Sequence, residues 1–167
     1  NYKGNQIGKS VKEENCEKII EEIFETSKQH SCSIIYPLDV LVGKNLNGVS
    51  KAKALDEINS DDLILDIGPK TIDKIKNIIE NSETVLWNGP AGYFENPNFA
   101  NGSYEIAKTI VKKNKNKSIY SVVGGGDTIA LINKINVIRD FNFVSTAGGA
   151  FLEYLEGKDL PGIKALS

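Results

Sequence analysis

A short strand, three consecutive glycines and a helix do more than any other stretch to limit what this chain can become. Ile119, Tyr120, Val122 and Val123 form a β-branched and aromatic run that ends at Gly124-Gly125-Gly126, after which Ile129, Ala130 and Ile132 take up helical spacing. Glycines carry no Cβ. The spacing therefore predicts a turn whose backbone N–H groups lie open at the positive end of a helix, where phosphates bind. Asp127 falls at the helix start, and two roles are open to it: an N-cap that accepts the first free N–H groups, or a ligand to a divalent cation carried in by phosphates. A glycine turn alone is a weak signal, and the neighbouring stretches decide its meaning.

The bulk properties exclude more than they specify. At 167 residues the chain is long enough for one core and too short for two ordinary domains. A net charge of −2 gives no basic field for nucleic acid, and there is no apolar run of transmembrane length and no signal peptide, so no membrane partner is expected either. Cys16 and Cys32 form no CxxC, and His30 is the only histidine. All three are expected to be structural, in a reducing cytoplasmic setting. No methionine occurs, so the chain is expected to be a piece of a longer protein. Arg139 is the only arginine among 20 cationic side chains; since arginine is the side chain best shaped to clamp carboxylates and phosphates, a clamp for an anionic substrate is expected elsewhere.

Along the chain, Gly4 to Ser10 imitates a P-loop but has three residues between its glycines instead of four and no strand before it. Ser10 with Glu13 reads instead as a capping box opening a helix with Ile19, Ile20, Ile23 and Phe24 on one face. Ser33 to Val42 is a strand passage whose pairing should loosen at Pro37. A polar connection over 45–62 has room for an edge hairpin, Leu63 to Ile67 is a second strand, and Thr71 is placed to cap the next helix. A third strand at 83–87 stops at the loop Asn88-Gly89-Pro90-Ala91-Gly92-Tyr93-Phe94-Glu95, and a helix over 104–112 follows. Its terminal lysines read as a solvated end. After the glycine turn come a strand at 141–144, a second glycine-bearing turn at Ser145 to Gly149, and a helix over 150–156 closed by Gly157.

This alternation predicts an α/β fold, Rossmann-like, with a mostly parallel sheet flanked by helices in three layers and right-handed crossovers. Ligands of such sheets sit outside the carboxyl ends of the strands, where the turns at 66–69, 88–90, 124–127 and 145–149 are all expected. A dinucleotide unit places its glycine loop after the first strand, with an acidic residue closing the next strand; here the loop comes late and the next strand closes on Ser145-Thr146, which argues against NAD and S-adenosylmethionine. No lysine follows the glycines, so this is no Walker motif. A nucleotide di- or triphosphate held by bare backbone remains.

Four stretches then stand in one order: Trp87-Asn88-Gly89-Pro90 with Phe94-Glu95; Gly124-Gly125-Gly126-Asp127-Thr128; Ser145-Thr146 with Gly148-Gly149-Ala150; and Leu155-Glu156-Gly157-Lys158 with Leu160-Pro161-Gly162. In this order and spacing the chain resembles the phosphoglycerate kinase family, from about Gly8 to Ser167. The resemblance implies that residues 1–167 are most of a C-terminal nucleotide-binding domain, incomplete on its N-terminal side and lacking the partner N-terminal substrate domain. It implies phosphoryl transfer between 1,3-bisphosphoglycerate and Mg-ADP, giving 3-phosphoglycerate and ATP, by an enzyme that is a monomer when intact.

Residue by residue, the resemblance makes Gly125, Gly126, Asp127 and Thr128 the nucleotide phosphate site, with Asp127 reaching Mg²⁺. Glu95 would hold the ribose, Asn88, Gly89 and Pro90 would flank the nucleotide, and Leu65 would line the adenine pocket. Gly148 and Gly149, with Gly125 and Gly126, would present N–H groups to the transferring phosphoryl, as phosphoryl transfer requires. Ala147 stands where the family usually has a glycine, and Ile64 where many members have one, and both departures narrow the expected site. Plainer roles also fit: Trp87, Leu65 and Phe94 as core, Asp39 and Asp66 as acceptors for loop amides, Glu95 as a loop acid. A non-catalytic nucleotide-binding module is the alternative function.

Overall fold

A computed structural model describes residues 4–166. The first helix, α1 (Glu17–Gln29), starts later than the Ser10–Glu13 spacing predicts and has no side-chain cap. Ser10 is taken up by a tertiary bond instead, its hydroxyl accepting from the Ile64 N–H at 2.8 Å, while the Lys9 N–H donates to the Asp62 carbonyl at 2.7 Å. The segment before α1 is thereby laid along a strand and cannot be helical. None of the α1 residues is buried, and Ile19 and Ile23 on its apolar face are more than half exposed.

Three strands follow: β1 (Asp39–Gly43), β2 (Lys51–Ala54) and β3 (Leu63–Ile67), in the order β2–β1–β3. Among the described residues no strand forms before Pro37, so the passage expected over Ser33 to Val42 is a strand only from Asp39 onward, because the proline cannot donate to a ladder; the connection over 45–62 does contain an edge strand, as expected. Every pair in this sheet is antiparallel. The parallel expectation stops here because the connections carry no crossover helix, only a 3-10 turn at Leu55–Glu57, and parallel strands need a longer return path. On the sheet's flank Asp62, almost fully buried, accepts from Lys44 at 2.8 Å, Lys53 at 2.5 Å and the Asn59 N–H at 2.8 Å. Lys44 first, then Lys53 and the amide, hold its carboxyl well below the usual carboxylate range.

The helix after β3, α2 (Pro69–Glu80), opens with proline at N1 and has no cap from its own N-cap residue, Gly68. Thr71 is not the cap: it lies inside the first turn, fully buried, with its hydroxyl accepting from the Leu38 and Asp39 N–H groups. The cap comes from β1, where the Asp39 carboxylate accepts from the Lys70 and Thr71 N–H groups at 3.0 and 2.8 Å. Burial pushes the Asp39 carboxyl up, but these bonds and the Thr71 hydroxyl together bring it below its ordinary value.

The second half is the parallel α/β unit. Strands β4 (Thr84–Asn88), β5 (Tyr120–Gly124) and β6 (Phe143–Val144) run parallel in that order, joined by α3 (Asn101–Lys115) and α4 (Gly126–Lys134). This parallel sheet flanked by helices gives the three-layer α/β/α fold. The glycine turn follows the central strand. β6 is shorter than predicted because Phe141 turns into the core and the Asn142 side-chain carbonyl, not a main-chain group, receives the Ser121 N–H at 2.8 Å. Two short helices, α5 (Gly149–Leu155) and α6 (Pro161–Lys164), end the chain, the second not foreseen from sequence.

The main core lies between this sheet and its helices: Trp87, Phe94, Ile106, Ile110, Ile119, Val123, Leu131 and Ile132 are all buried, with Trp87 tilted against Phe141 at 6.4 Å between ring centroids. Burial of these side chains, at roughly 1.5–3 kcal/mol each, fixes the strand ends from which the site loops leave. Lys113 is not a merely solvated end of α3; its ammonium donates to the Glu80 and Ser82 carbonyls at the end of α2. Among the described residues no helix is long and apolar enough to cross a membrane.

Candidate functional site

The turns after β4, β5 and β6 share one rim because the three strands are parallel and in register, with Asn88 opposite Gly124. The fourth predicted turn, after β3, belongs to the antiparallel sheet, and the loop 88–95 reaches across to it. That loop crosses to β3, where the Tyr93 N–H donates to the Leu65 carbonyl at 2.7 Å. Along the way the Trp87 indole N–H donates to the Gly89 carbonyl at 2.8 Å, the Ala91 N–H to the Ser103 hydroxyl at 2.9 Å, and the Lys134 ammonium to the Phe94 carbonyl at 3.2 Å. The loop is thus held by several hydrogen bonds, half-buried over 90–93 and buried at Phe94. Ser103 and Lys134 carry no sequence signal for this role; only the fold brings them under the loop.

The three glycines do three different things. A Cβ on Gly124 would press against the Phe151 ring at 3.0 Å, and one on Gly125 would lie 2.7 Å from the Asn88 Oδ1. Gly125 also has φ +86°, which side-chain-bearing residues rarely adopt. These two glycines therefore admit Phe151 and Asn88, a correction to the expectation that all three clear space for a ligand. Gly126 alone faces open space. It begins α4, whose N-cap position offers no side-chain acceptor, so the first N–H groups of the helix are left for another acceptor.

Asp127 is exposed within the first turn of α4 and makes no capping bond, which removes the N-cap reading. Thr128 is fully buried, and its hydroxyl accepts from the Gly89 N–H at 2.7 Å; the side chain ties two loops together instead of facing outward. Gly148 (φ +56°) and Gly149 open α5, likewise without a side-chain cap and with nothing where their Cβ atoms would lie. The Phe151 contact on Gly124 sets α5 beside the end of β5. Leu65 is half-buried and lines a cavity of about 320 Å³ with Ile64, Asp66, Ala91, Gly92 and Tyr93. Pro90 is half-buried and Glu95 exposed, and no hydrogen bond or ion pair joins Glu95 to the other candidate residues among those described.

The fold thus brings Asn88, Gly89, Gly125 and Thr128 into direct contact, with uncapped helix starts beside them and an apolar slot at the far end of the loop. Sequence comparison decides the family. The family model for phosphoglycerate kinase matches residues 1–158. The chain belongs to the phosphoglycerate kinase family. It is 44% identical over 165 residues to the phosphoglycerate kinase of Caulobacter vibrioides and 39% over 166 residues to that of Chelativorans sp. (strain BNC1), in each case covering 98% of this chain and 42% of the relative. Among solved structures, phosphoglycerate kinase from Coxiella burnetii superposes with a TM-score of 0.91 at 38% identity over 99% of this chain and 42% of that one. Phosphoglycerate kinase from Pyrococcus horikoshii OT3 gives 0.71 at 30% identity, over 99% of this chain and 41% of that one. The chain spans about two fifths of the length of the phosphoglycerate kinases it matches.

No group of three His, Cys, Asp or Glu side chains is gathered to hold a metal among the described residues. On the rim, Asp127 offers a hard carboxylate beside the uncapped N–H groups of α4, and Glu95 a second, exposed one in the loop after β4. This suits Mg²⁺, which takes one or two protein carboxylates and otherwise keeps waters and substrate phosphates.

Proposed function

We propose that this chain provides the Mg-nucleotide side of a cytoplasmic phosphoglycerate kinase, most of its C-terminal domain, acting as a monomer when intact and transferring a phosphoryl group between 1,3-bisphosphoglycerate and ADP. The observation that carries the reading is the pair of uncapped helix starts, α4 at Gly126 and α5 at Gly149, on the rim of one parallel sheet, with open space at Gly126, Gly148 and Gly149. N–H groups at a helix start offer fixed positive dipoles to phosphate oxygens with no reorganisation during reaction.

In this reading the ADP phosphates lie against the N–H groups of Gly125 and Gly126, and Asn88, Gly89 and Pro90 flank the nucleotide. The adenine occupies the slot beside Leu65, and Glu95 accepts from a ribose hydroxyl. Asp127 would hold Mg²⁺, which when bound would supply positive charge to offset the negative charge of the phosphates. The terminal oxygen of ADP forms the new bond to phosphorus as the bond to the acyl oxygen of 1,3-bisphosphoglycerate breaks, giving ATP and the carboxylate of 3-phosphoglycerate. Gly148 and Gly149 present N–H groups to the phosphoryl in flight. No proton acceptor is needed, which suits a site built of backbone N–H groups and carboxylates.

The triose clamp is assigned to the N-terminal domain, since Arg139 is the only arginine here and it is exposed in the 3-10 turn Ile138–Asp140, after α4. The test is a coupled assay with ATP and 3-phosphoglycerate on the full-length protein and on the 167-residue chain. Turnover by the first and none above a buffer blank by the second is expected. Mg-ADP binding by the full-length protein without turnover would instead favour a non-catalytic nucleotide-binding module.

A further inference from the structure

We propose that Asp66 is a positioning residue of the nucleotide site, its buried carboxylate fixing where the loop 88–95 crosses the end of β3. The proposal rests on the nucleotide reading above. Both carboxylate oxygens are used by main-chain donors, Oδ1 by the Ile67 N–H and Oδ2 by the Gly102 N–H, each at 2.8 Å. A Cβ on either Gly92 or Gly102 would fall on this carboxylate. The site loop and α3 therefore close on Asp66 from two sides, and only glycine fits at either point of approach. The bond from the Tyr93 N–H to the Leu65 carbonyl fastens the next loop residue to the strand beside it.

A second route leads from Asp66 to the same loop. α3 has no side-chain cap at its own N-cap residue, Ala100, so the Gly102 N–H would be an orphan donor without Asp66. The adjacent Ser103, fully buried, receives the Ala91 N–H at 2.9 Å. Asp66 thus sets Ala91 through Gly102 and Ser103, and Gly92 by direct contact. The arrangement is costly: Asp66 is 2% exposed and makes no ion pair among the described residues. Burial raises its carboxyl above the ordinary value although the Gly102 and Ile67 amides oppose the shift. An apolar side chain would fill the same volume without that cost, but it would leave the start of α3, and with it Ser103 and the loop, without an anchor.

The test compares Asp66→Ala, Gly92→Ala and the double variant in the full-length protein, by Mg-ADP titration and by hydrogen exchange of the amides of residues 88–95. Each single change is expected to weaken Mg-ADP at least about fivefold and to speed exchange at residues 91–93, with the amides of Val122 and Val123 unchanged. The double variant is expected to lose less than the product of the two, because the methyl group enters space that the carboxylate has left. Unchanged affinity and unchanged loop exchange in the single variants would overturn the inference, as would fully multiplicative losses. If Asp66→Ala does not fold, Gly92→Ala carries the same two readouts. A wild-type protein that binds no Mg-ADP would overturn the nucleotide reading instead, and the exchange rates, which report on the loop alone, keep the two failures apart.

Discussion

The backbone N–H of Gly89 donates to the buried hydroxyl of Thr128 at 2.7 Å, and this bond joins the loop after β4 to the first turn of α4. Replacing Thr128 by valine keeps the shape and removes the acceptor. Stability is expected to fall by about 1 kcal/mol in denaturant unfolding, and Mg-ADP affinity to fall with it. Thr128→Ser keeps the hydroxyl and should preserve affinity. A loss in Thr128→Ser with none in Thr128→Val would show that the methyl group, not the hydroxyl, is what matters.

Neighbouring glycines should respond in opposite ways. Gly125→Ala meets the Asn88 side chain and a φ of +86°, and is expected to cost at least about 2 kcal/mol of stability. Gly126→Ala meets nothing, so stability should move by less than about 0.5 kcal/mol. Mg-ADP binding should nevertheless weaken about tenfold in Gly126→Ala, since its methyl group enters the space assigned to the phosphates, a change of about 1.4 kcal/mol. Unaltered affinity would place the nucleotide elsewhere.

Asp62 predicts a pH dependence. Its folded-state pKa lies below the ordinary 3.8, so the folded protein binds fewer protons than the unfolded chain in that window. The stabilisation is complete above the ordinary value and is lost as the pH falls below it. Asp62→Asn removes this acid-side loss, leaves Lys53 buried without its charge partner, and should cost about 3–5 kcal/mol at neutral pH. Urea unfolding of both proteins across pH 2 to 7 checks the sign, and identical pH slopes would contradict it.

Glu95 is exposed and untied, so its only consequence in this account is for the ribose. Glu95→Gln is expected to weaken ADP by about 1–2 kcal/mol without changing the melting temperature. An unchanged dissociation constant would reduce it to a loop acid.

Much of this was legible because period and punctuation are local. The run at 119–124, the glycine turn and the helix after it lie where the spacing put them, and β4 and α3 hold their predicted order. The errors arise where partners distant in sequence take over. Ser10 has the spacing of a capping box, but the edge of β3 competes for its hydroxyl. Thr71 was the natural cap by position, yet Asp39, 32 residues earlier, does the capping. Asp66 serves Gly102 in the same way across 36 residues. Its place as an amide acceptor was readable at a strand end; which amide it served was not. The antiparallel sheet escaped because strand composition does not encode direction, and the division of labour among Gly124, Gly125 and Gly126 depends on Phe151 and Asn88, which only folding brings near.

The most direct test is ADP binding at limiting Mg²⁺ in the full-length protein, comparing wild type with Asp127→Asn. Asp127 makes no capping bond, so the substitution should leave stability within about 0.5 kcal/mol. Its carboxylate is the only one on the rim assigned to the metal, and removing that charge is expected to weaken Mg-dependent ADP binding at least about tenfold, or about 1.4 kcal/mol. Affinity for ADP that is equal in the two proteins and insensitive to Mg²⁺ would contradict a metal–nucleotide site at the start of α4.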